Sequence, residues 1–176
     1  MYPAYAPGQT VRFPRGVTET WAHDGVLDAE LHLKGYQMFR CDIKTGNKRG
    51  GVLLYVRDSI TNRISPTVLL WRTWCWVGDL LIGVCYRSTN IAVVGSNNDG
   101  ALRNVLKEVF AKHVLVMGDF NYADVDWQVG AACRPHNQST LEFVQTIEDC
   151  FYNQHVLYPT RGSVIYLTLY YQGIQS

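Results

Sequence analysis

Val114-Leu115-Val116-Met117 is a short apolar run that ends abruptly in Gly118-Asp119-Phe120-Asn121. A run of this length bounded by polar residues reads as a buried strand, of the kind found inside a parallel sheet. Side chains alternate along a strand, so residues i and i+2 point the same way. That alternation places Asp119 and Asn121 on one face at the sheet rim and turns Phe120 into the core. A carboxylate beside a carboxamide suits phosphodiester chemistry. The Asp can take a proton from an attacking water or orient it, and the Asn can donate to a phosphoryl oxygen as charge develops. The same four residues also suit a polar turn, because Gly, Asp and Asn all favour turns. The residues alone leave both readings open.

The 176 residues suffice for one domain with a real core. A hydrophobic share of 47% against 18% charged residues marks a globular chain and not a disordered one. Sixteen basic and fifteen acidic residues leave a net charge of +1, so bulk charge does not advertise nucleic-acid binding. A local basic rim remains open, with Lys44, Lys48 and Arg49 as one cluster. The five cysteines, Cys41, Cys75, Cys85, Cys133 and Cys150, are odd in number, scattered and without a C-x-x-C pair. Reduced core thiols are expected, not a disulfide framework or a zinc site. No apolar run approaches the length of a membrane span, and the first residues lack a signal peptide's apolar core. The expectation is a soluble, intracellular protein with no membrane partner and no indicated protein partner. No nuclear targeting signal is read.

Residues 1–16, rich in Pro, Tyr and Gly, read as an extended leader. Strand signals cover Val17 to Trp21, Tyr36 to Arg40 and Gly51 to Arg57, with a helical turn over Leu27 to Leu33. Val68 to Val77 and Leu80 to Tyr86 read as a hairpin around Gly78-Asp79. Leu102, Val105, Leu106, Val109 and Phe110 recur at helical spacing, with Asp99 as the cap. Residues from Tyr122 to Asn137 read as irregular. Ser139 then reads as an N-cap with Glu142 as its capping-box partner, ahead of a stripe of Leu141, Val144, Ile147 and Phe151. Gln154 to Leu157 and Val164 to Tyr170 are the last strand candidates. Strands mixed with two helices predict an α/β fold.

Five segments in order, Thr18-Glu19-Thr20-Trp21, Gly50 to Val56, Gly83 to Ser88, Gly118-Asp119-Phe120-Asn121 and Pro159-Thr160-Arg161-Gly162, resemble the endonuclease/exonuclease/phosphatase superfamily. More narrowly, they are similar to the apurinic-type endonuclease domain of non-LTR retrotransposons. The resemblance runs from about Val17 to Leu169. It implies a four-layered α/β/β/α sandwich, a partial domain over 17–176, DNA as partner, and Mg²⁺ (or Mn²⁺) as cofactor. It implies a metal ligand at Glu19, catalytic roles for Asp119, Asn121 and Tyr86, and substrate contacts from Thr160, Arg161 and Arg87. Magnesium's preference for oxygen donors and one or two carboxylates suits this set. Asp124 and Asp126 match a family stretch outside the catalytic centre. The five histidines show no metal-ligand spacing.

Three departures from the family pattern predict weak or lost activity. An opening strand with a metal-site Asn is not recognisable ahead of Glu19. Tyr166 stands where the family carries an Asp. A closing Ser-Asp-His segment is not found. The expected sandwich is therefore incomplete at both termini, in a diverged copy of a retroelement domain. Two alternatives remain: a silent fold that binds nucleic acid or protein, and a phosphoesterase acting on a small substrate.

Overall fold

The structure is a computed structural model that describes residues 14–42, 50–60, 62–64, 72–88, 98–110, 112–126, 131–132, 137–156 and 167–171. Strands β1 (Arg15–Thr18), β2 (Tyr36–Cys41) and β3 (Val52–Arg57) form an antiparallel sheet in the order β1-β3-β2. The second sheet contains β4 (Asn62–Ile64), β5 (Arg72–Val77), β6 (Leu80–Tyr86), β7 (Val114–Asp119), β10 (Asn153–Gln154) and β11 (Leu167–Tyr171). Its order is β10-β11-β7-β6-β5-β4. The short pair β8 (Val125–Asp126) and β9 (Ala131–Ala132) lies in the stretch read as irregular. Strand β1 begins at Arg15, inside the stretch read as leader.

Alternation in β3 explains how the sheets stack. Val52, Leu54 and Val56 pack with Cys75, Ile82 and Val84 of the larger sheet, while Leu53 and Tyr55 face the other way, toward Tyr36. Trp74, Leu81, Cys85, Val114 and Val116 project from the larger sheet's far face onto two helices. These are α2 (Asn98–Val109) and α3 (Gln138–Asp149). The outer face of the smaller sheet carries α1 (Asp28–Leu31), a single turn. The chain is thus a mixed α/β molecule with two stacked sheets and a helix layer. Cys41, Cys75, Cys85 and Cys150 are free thiols, as the sequence suggested.

Strand β7 pairs in parallel with β6 and antiparallel with β11. Parallel partners need a crossover, and α2 supplies it between β6 and β7. The β5–β6 hairpin turns at Gly78-Asp79, where Gly78 takes a φ of 61°. Phe120 is 1% exposed, turned into the core as expected.

Helix α3 departs from its predicted register. Its buried face is Thr140, Phe143, Thr146 and Ile147, with Cys150 just beyond, whereas Leu141 and Phe151 are 37% and 71% exposed. The cap is Asn137, whose side chain accepts from the Thr140 N–H, and not Ser139. The physical reason is Phe143. Its ring stacks on Tyr122 at 4.1 Å and meets Phe120 at 5.8 Å, which fixes the helix rotation. Two threonines then lie inward, and a hydrophobicity pattern does not credit them. Likewise α2 already includes Asn98, so Asp99 lies within the first turn and is not its cap.

The end of α3 has its own logic. Tyr152 N donates to Ile147 O at 3.0 Å and Phe151 N to Glu148 O at 2.9 Å. This pattern closes a helix when the residue between takes a left-handed conformation, usually Gly. Here Phe151 takes it, at φ 53°. Tyr152 follows into the core and donates its hydroxyl to Leu106 O on α2 at 3.0 Å.

Two predictions follow from this packing. Phe143→Ala should cost about 3–5 kcal/mol and Leu141→Ala about 0.5 kcal/mol or less, read from urea unfolding. Equal costs would put the helix in the other register. Phe151→Gly should raise stability by about 1 kcal/mol, because an exposed aromatic gives way to the residue that left-handed backbone favours. A lower unfolding midpoint in that variant would contradict the closure described.

Candidate active site

Because β6 and β7 run parallel, they deliver their C-terminal ends to one rim. Tyr86 and Asp119 are register partners there, and Arg87 N donates to Asp119 O at 2.9 Å. Both side chains continue the alternation of Ile82, Val84, Leu115 and Met117, the face packed on the smaller sheet. The site therefore lies where the two sheets meet.

Glu19 comes from the smaller sheet, directly after β1. Thr20 N and Trp21 N donate to Gly51 O and Gly50 O at 3.4 and 2.8 Å. These contacts hold Glu19 and Trp21 in left-handed backbone, at φ 53° and 54°. Such conformations cost about 1–3 kcal/mol each and persist only where the surroundings enforce them. Gly51 permits the approach, since a Cβ there would sit 2.5 Å from the Thr20 hydroxyl oxygen.

The Tyr86 hydroxyl donates to Glu19 Oε1 at 2.9 Å. Burial, then the hydrogen bond and charge of Glu19, push the Tyr86 phenol well above its ordinary range, so it stays a donor at neutral pH. Asp119 is 6% exposed. Burial raises its pKa, as does the charge of Glu19, while the Asn121 amides oppose the rise.

Asn121 reaches Asp119 by a route that alternation did not predict. Strand β7 stops at Asp119, and Asn121 adopts left-handed backbone at φ 51°. Its N–H donates to Asp119 Oδ1 at 3.1 Å, closing a turn, and its Nδ2 donates to Arg87 O at 2.8 Å. Asn tolerates this conformation better than most residues. The strand and the turn readings of Gly118-Asp119-Phe120-Asn121 are thus both partly right: strand through Asp119, turn after it.

Arg87 projects to the opposite, helix-facing side. Its Nε donates to Asp99 Oδ1 at 2.5 Å, and its Nη1 donates to Asn121 O at 2.8 Å and Phe120 O at 3.4 Å. The guanidinium also lies 4.0 Å from the centre of the Tyr122 ring. Asp99 in turn accepts from the Ser139 hydroxyl. Burial raises the Asp99 pKa, but the hydrogen bonds from Arg87 and Ser139 outweigh it and hold the carboxyl below its ordinary value. Sequence reasoning missed the roles of Asp99 and Ser139. No local signal marks them, because the contacts span 12 and 40 positions.

Thr160 and Arg161 lie outside the described residues, as do Tyr166, Lys44, Lys48, Arg49 and Cys133. Among the described residues, no group of three or more His, Cys, Asp or Glu side chains could hold a metal. Glu19 and Asp119 are a pair of carboxylates, which is the number magnesium commonly takes from a protein alongside its waters. Their mutual charge raises the Asp119 pKa, and a divalent cation would relieve that repulsion. The donor set fits a hard divalent ion.

No family model and no curated protein matches the sequence. In fold, the chain is similar to the endonuclease domain of TRAS1, a telomere-specific non-LTR retrotransposon. The TM-score is 0.54 at 13% sequence identity, over 80% of this chain and 68% of that one. The likeness shows a distantly shared mixed α/β fold. No helix among the described residues is long and apolar enough to cross a membrane.

The Asp99 contacts give a prediction for acid stability. The folded-state pKa lies below the ordinary value of 3.8, so the carboxylate stabilises the fold fully above that pH. Its contribution is lost as pH falls through the folded-state value. The melting temperature of Asp99→Asn should therefore trail wild type at neutral pH, and the gap should narrow below pH 3.8. A gap independent of pH would mean that Asp99 acts through shape alone.

Proposed function

We infer that the chain is an endonuclease-like domain of retrotransposon descent, whose ancestral reaction is Mg²⁺-dependent hydrolysis of DNA phosphodiester bonds. The observation that carries this reading is the rim shared by Glu19, Tyr86, Asp119 and Asn121, on a fold similar to a retrotransposon endonuclease domain. The full architecture we infer is the four-layered α/β/β/α sandwich, supported by the two stacked sheets and the helix layer against one of them.

Each group has a chemical task in this reading. Glu19, with Asp119 beside it, would hold Mg²⁺, which when bound neutralises charge on the phosphate. Asp119 orients the attacking water and accepts its proton, a task that a raised pKa suits. Tyr86 is a protonated donor at the rim and can turn its hydrogen bond from Glu19 to a phosphate oxygen. Asn121 has one amide hydrogen committed to Arg87 O, and its side chain also hydrogen-bonds the Asp119 carboxylate, a bond it would turn from that carboxylate to a phosphoryl oxygen. Thr160 and Arg161 would contact the phosphate backbone, which positions a nucleic acid without reading its sequence.

Turnover should be weak. Tyr166 stands where the resembled family places a carboxylate that orients substrate and water. Groups that act as a unit lose most of their rate when one is missing, and one transition-state donor can be worth about 3–4 kcal/mol.

Nicking of supercoiled plasmid by wild type, Glu19→Gln, Asp119→Ala and Tyr166→Asp tests the reading. Slow nicking that needs Mg²⁺ and vanishes in Asp119→Ala and Glu19→Gln is the expected result. Tyr166→Asp alone should leave it slow. Robust wild-type nicking would show a working endonuclease and overturn the claim of impairment. DNA binding without nicking would favour a silent fold. Phosphate release from an inositol phosphate, with no action on DNA, would favour the small-substrate phosphoesterase.

A further inference from the structure

We propose that Arg87 is a positioning residue, not a substrate contact: it clamps the Asp119–Asn121 turn onto the two helices and so sets the direction of both side chains. This rests on the endonuclease-like reading for its catalytic meaning, but its geometry stands apart from it.

An arginine directly after a rim tyrosine invites a phosphate-binding role. Its surroundings argue otherwise. The side chain is only 14% exposed. One edge of the guanidinium is paired with Asp99, and Nη1 is shared between two main-chain carbonyls of the turn, at Phe120 and Asn121. Its flat face lies on Tyr122, which is itself stacked on Phe143 of α3. A planar fork with fixed donors is suited to holding two carbonyls and a carboxylate at once, and a lysine would satisfy fewer of them. To reach a phosphate, the guanidinium would have to leave an ion pair and expose two turn carbonyls.

The clamp has a second layer. Asp99 belongs to the first turn of α2, and Ser139, which donates to it, belongs to the first turn of α3. The two helices therefore grip one arginine through one carboxylate. The main chain of Arg87 completes the arrangement. Its N–H bonds Asp119 O and its carbonyl accepts from Asn121 Nδ2. The strand end that carries Tyr86 and the turn that carries Asp119 and Asn121 are thus locked through the same residue. Without the guanidinium, the carbonyls of Phe120 and Asn121 lose their donor, and φ 51° at Asn121 rests on main-chain Arg87 and Asp119 Oδ1 alone, so the aim of its N–H loosens.

The test compares Arg87→Lys, Arg87→Ala, Asp99→Asn and the double variant Arg87→Ala/Asp99→Asn. Amide hydrogen exchange is read at Asn121, with Leu54 in the smaller sheet as reference. Exchange at Asn121 should quicken by about tenfold or more in Arg87→Ala and by a similar factor in Asp99→Asn, since charge-assisted bonds are lost. Leu54 should not change, and Arg87→Lys should fall between. Unchanged exchange at Asn121 in Arg87→Ala would overturn the proposal.

Where wild type nicks, kcat should fall in both single variants with KM unchanged, and the double variant should be no worse than the worse single. The opposite split would make Arg87 a phosphate contact and overturn the proposal: a higher KM for Arg87→Ala, a salt slope of DNA affinity reduced by about one, and normal Asp99→Asn. Where wild type neither nicks nor binds DNA, the endonuclease-like reading fails, and the exchange result still decides the role of Arg87.

Discussion

The approach of β7 to β6 at Gly118 is the contact on which the rim depends. A Cβ at Gly118 would lie 1.8 Å from the carbonyl oxygen of Cys85, far inside any tolerated distance. The glycine also takes a φ of 150°, which L side chains rarely adopt. No side chain separates the two backbones at this level. One residue further on, Tyr86 and Asp119 emerge as register partners facing the smaller sheet. Replacing Gly118 would push the strand ends apart just where their side chains are to meet. The short apolar run before Asp119 therefore does more than fill the core: it carries a backbone to a place where only the smallest residue lets it arrive.

Charge at this rim is arranged by which side of the sheet each residue faces. Among the described residues, neither Glu19 nor Asp119 makes a salt bridge, although Arg87 follows Tyr86 directly. Alternation sends the guanidinium to the helix side, and Asp99 takes it there. The two carboxylates are left to repel each other beside a half-buried phenol. That costs stability. Under the proposed function it would also leave the rim open to a divalent cation, which a salt bridge to Arg87 would pre-empt. The division of labour is spatial: cationic charge braces the scaffold from behind, and anionic charge faces the open side.

Much of this was legible in the sequence, and the limits have physical causes. Strand β7, the inward Phe120, the hairpin at Gly78-Asp79 and the apolar face of α2 all follow from local periodicity and turn chemistry. The strand ends that bring Glu19, Tyr86 and Asp119 together follow from motif order. Helix α3 resisted because two registers satisfy its pattern, and the choice is made by a ring stack with Tyr122, 21 positions away by sequence number. Ser139 reads as a cap because serine favours caps, yet its hydroxyl serves a carboxylate on another helix. Arg87 looks like a ligand-binding residue next to a rim tyrosine. Only its partners, 12 to 34 positions distant, reveal how fully it is committed.

Backbone strain separates these roles further. Among the described residues, four that are not glycine take left-handed conformations: Glu19, Trp21, Asn121 and Phe151. At Phe151 the strain closes a helix, the residue faces solvent, and Tyr152 gains its place in the core. Strain by itself therefore marks no site. At the rim the cases differ in what the strain directs. Glu19 is held so that its carboxylate receives the Tyr86 hydroxyl, and Asn121 so that its N–H meets the Asp119 carboxylate. Each conformation has a dedicated brace: Gly50 and Gly51 for the segment from Glu19 to Trp21, and Arg87 with Asp99 and Ser139 for Asn121. Two strained segments from different sheets, separately braced and aimed into one space, are a costly way to build a surface. They do hold two carboxylates, a phenol and an amide in fixed relation, which is the preorganisation that the proposed function would need.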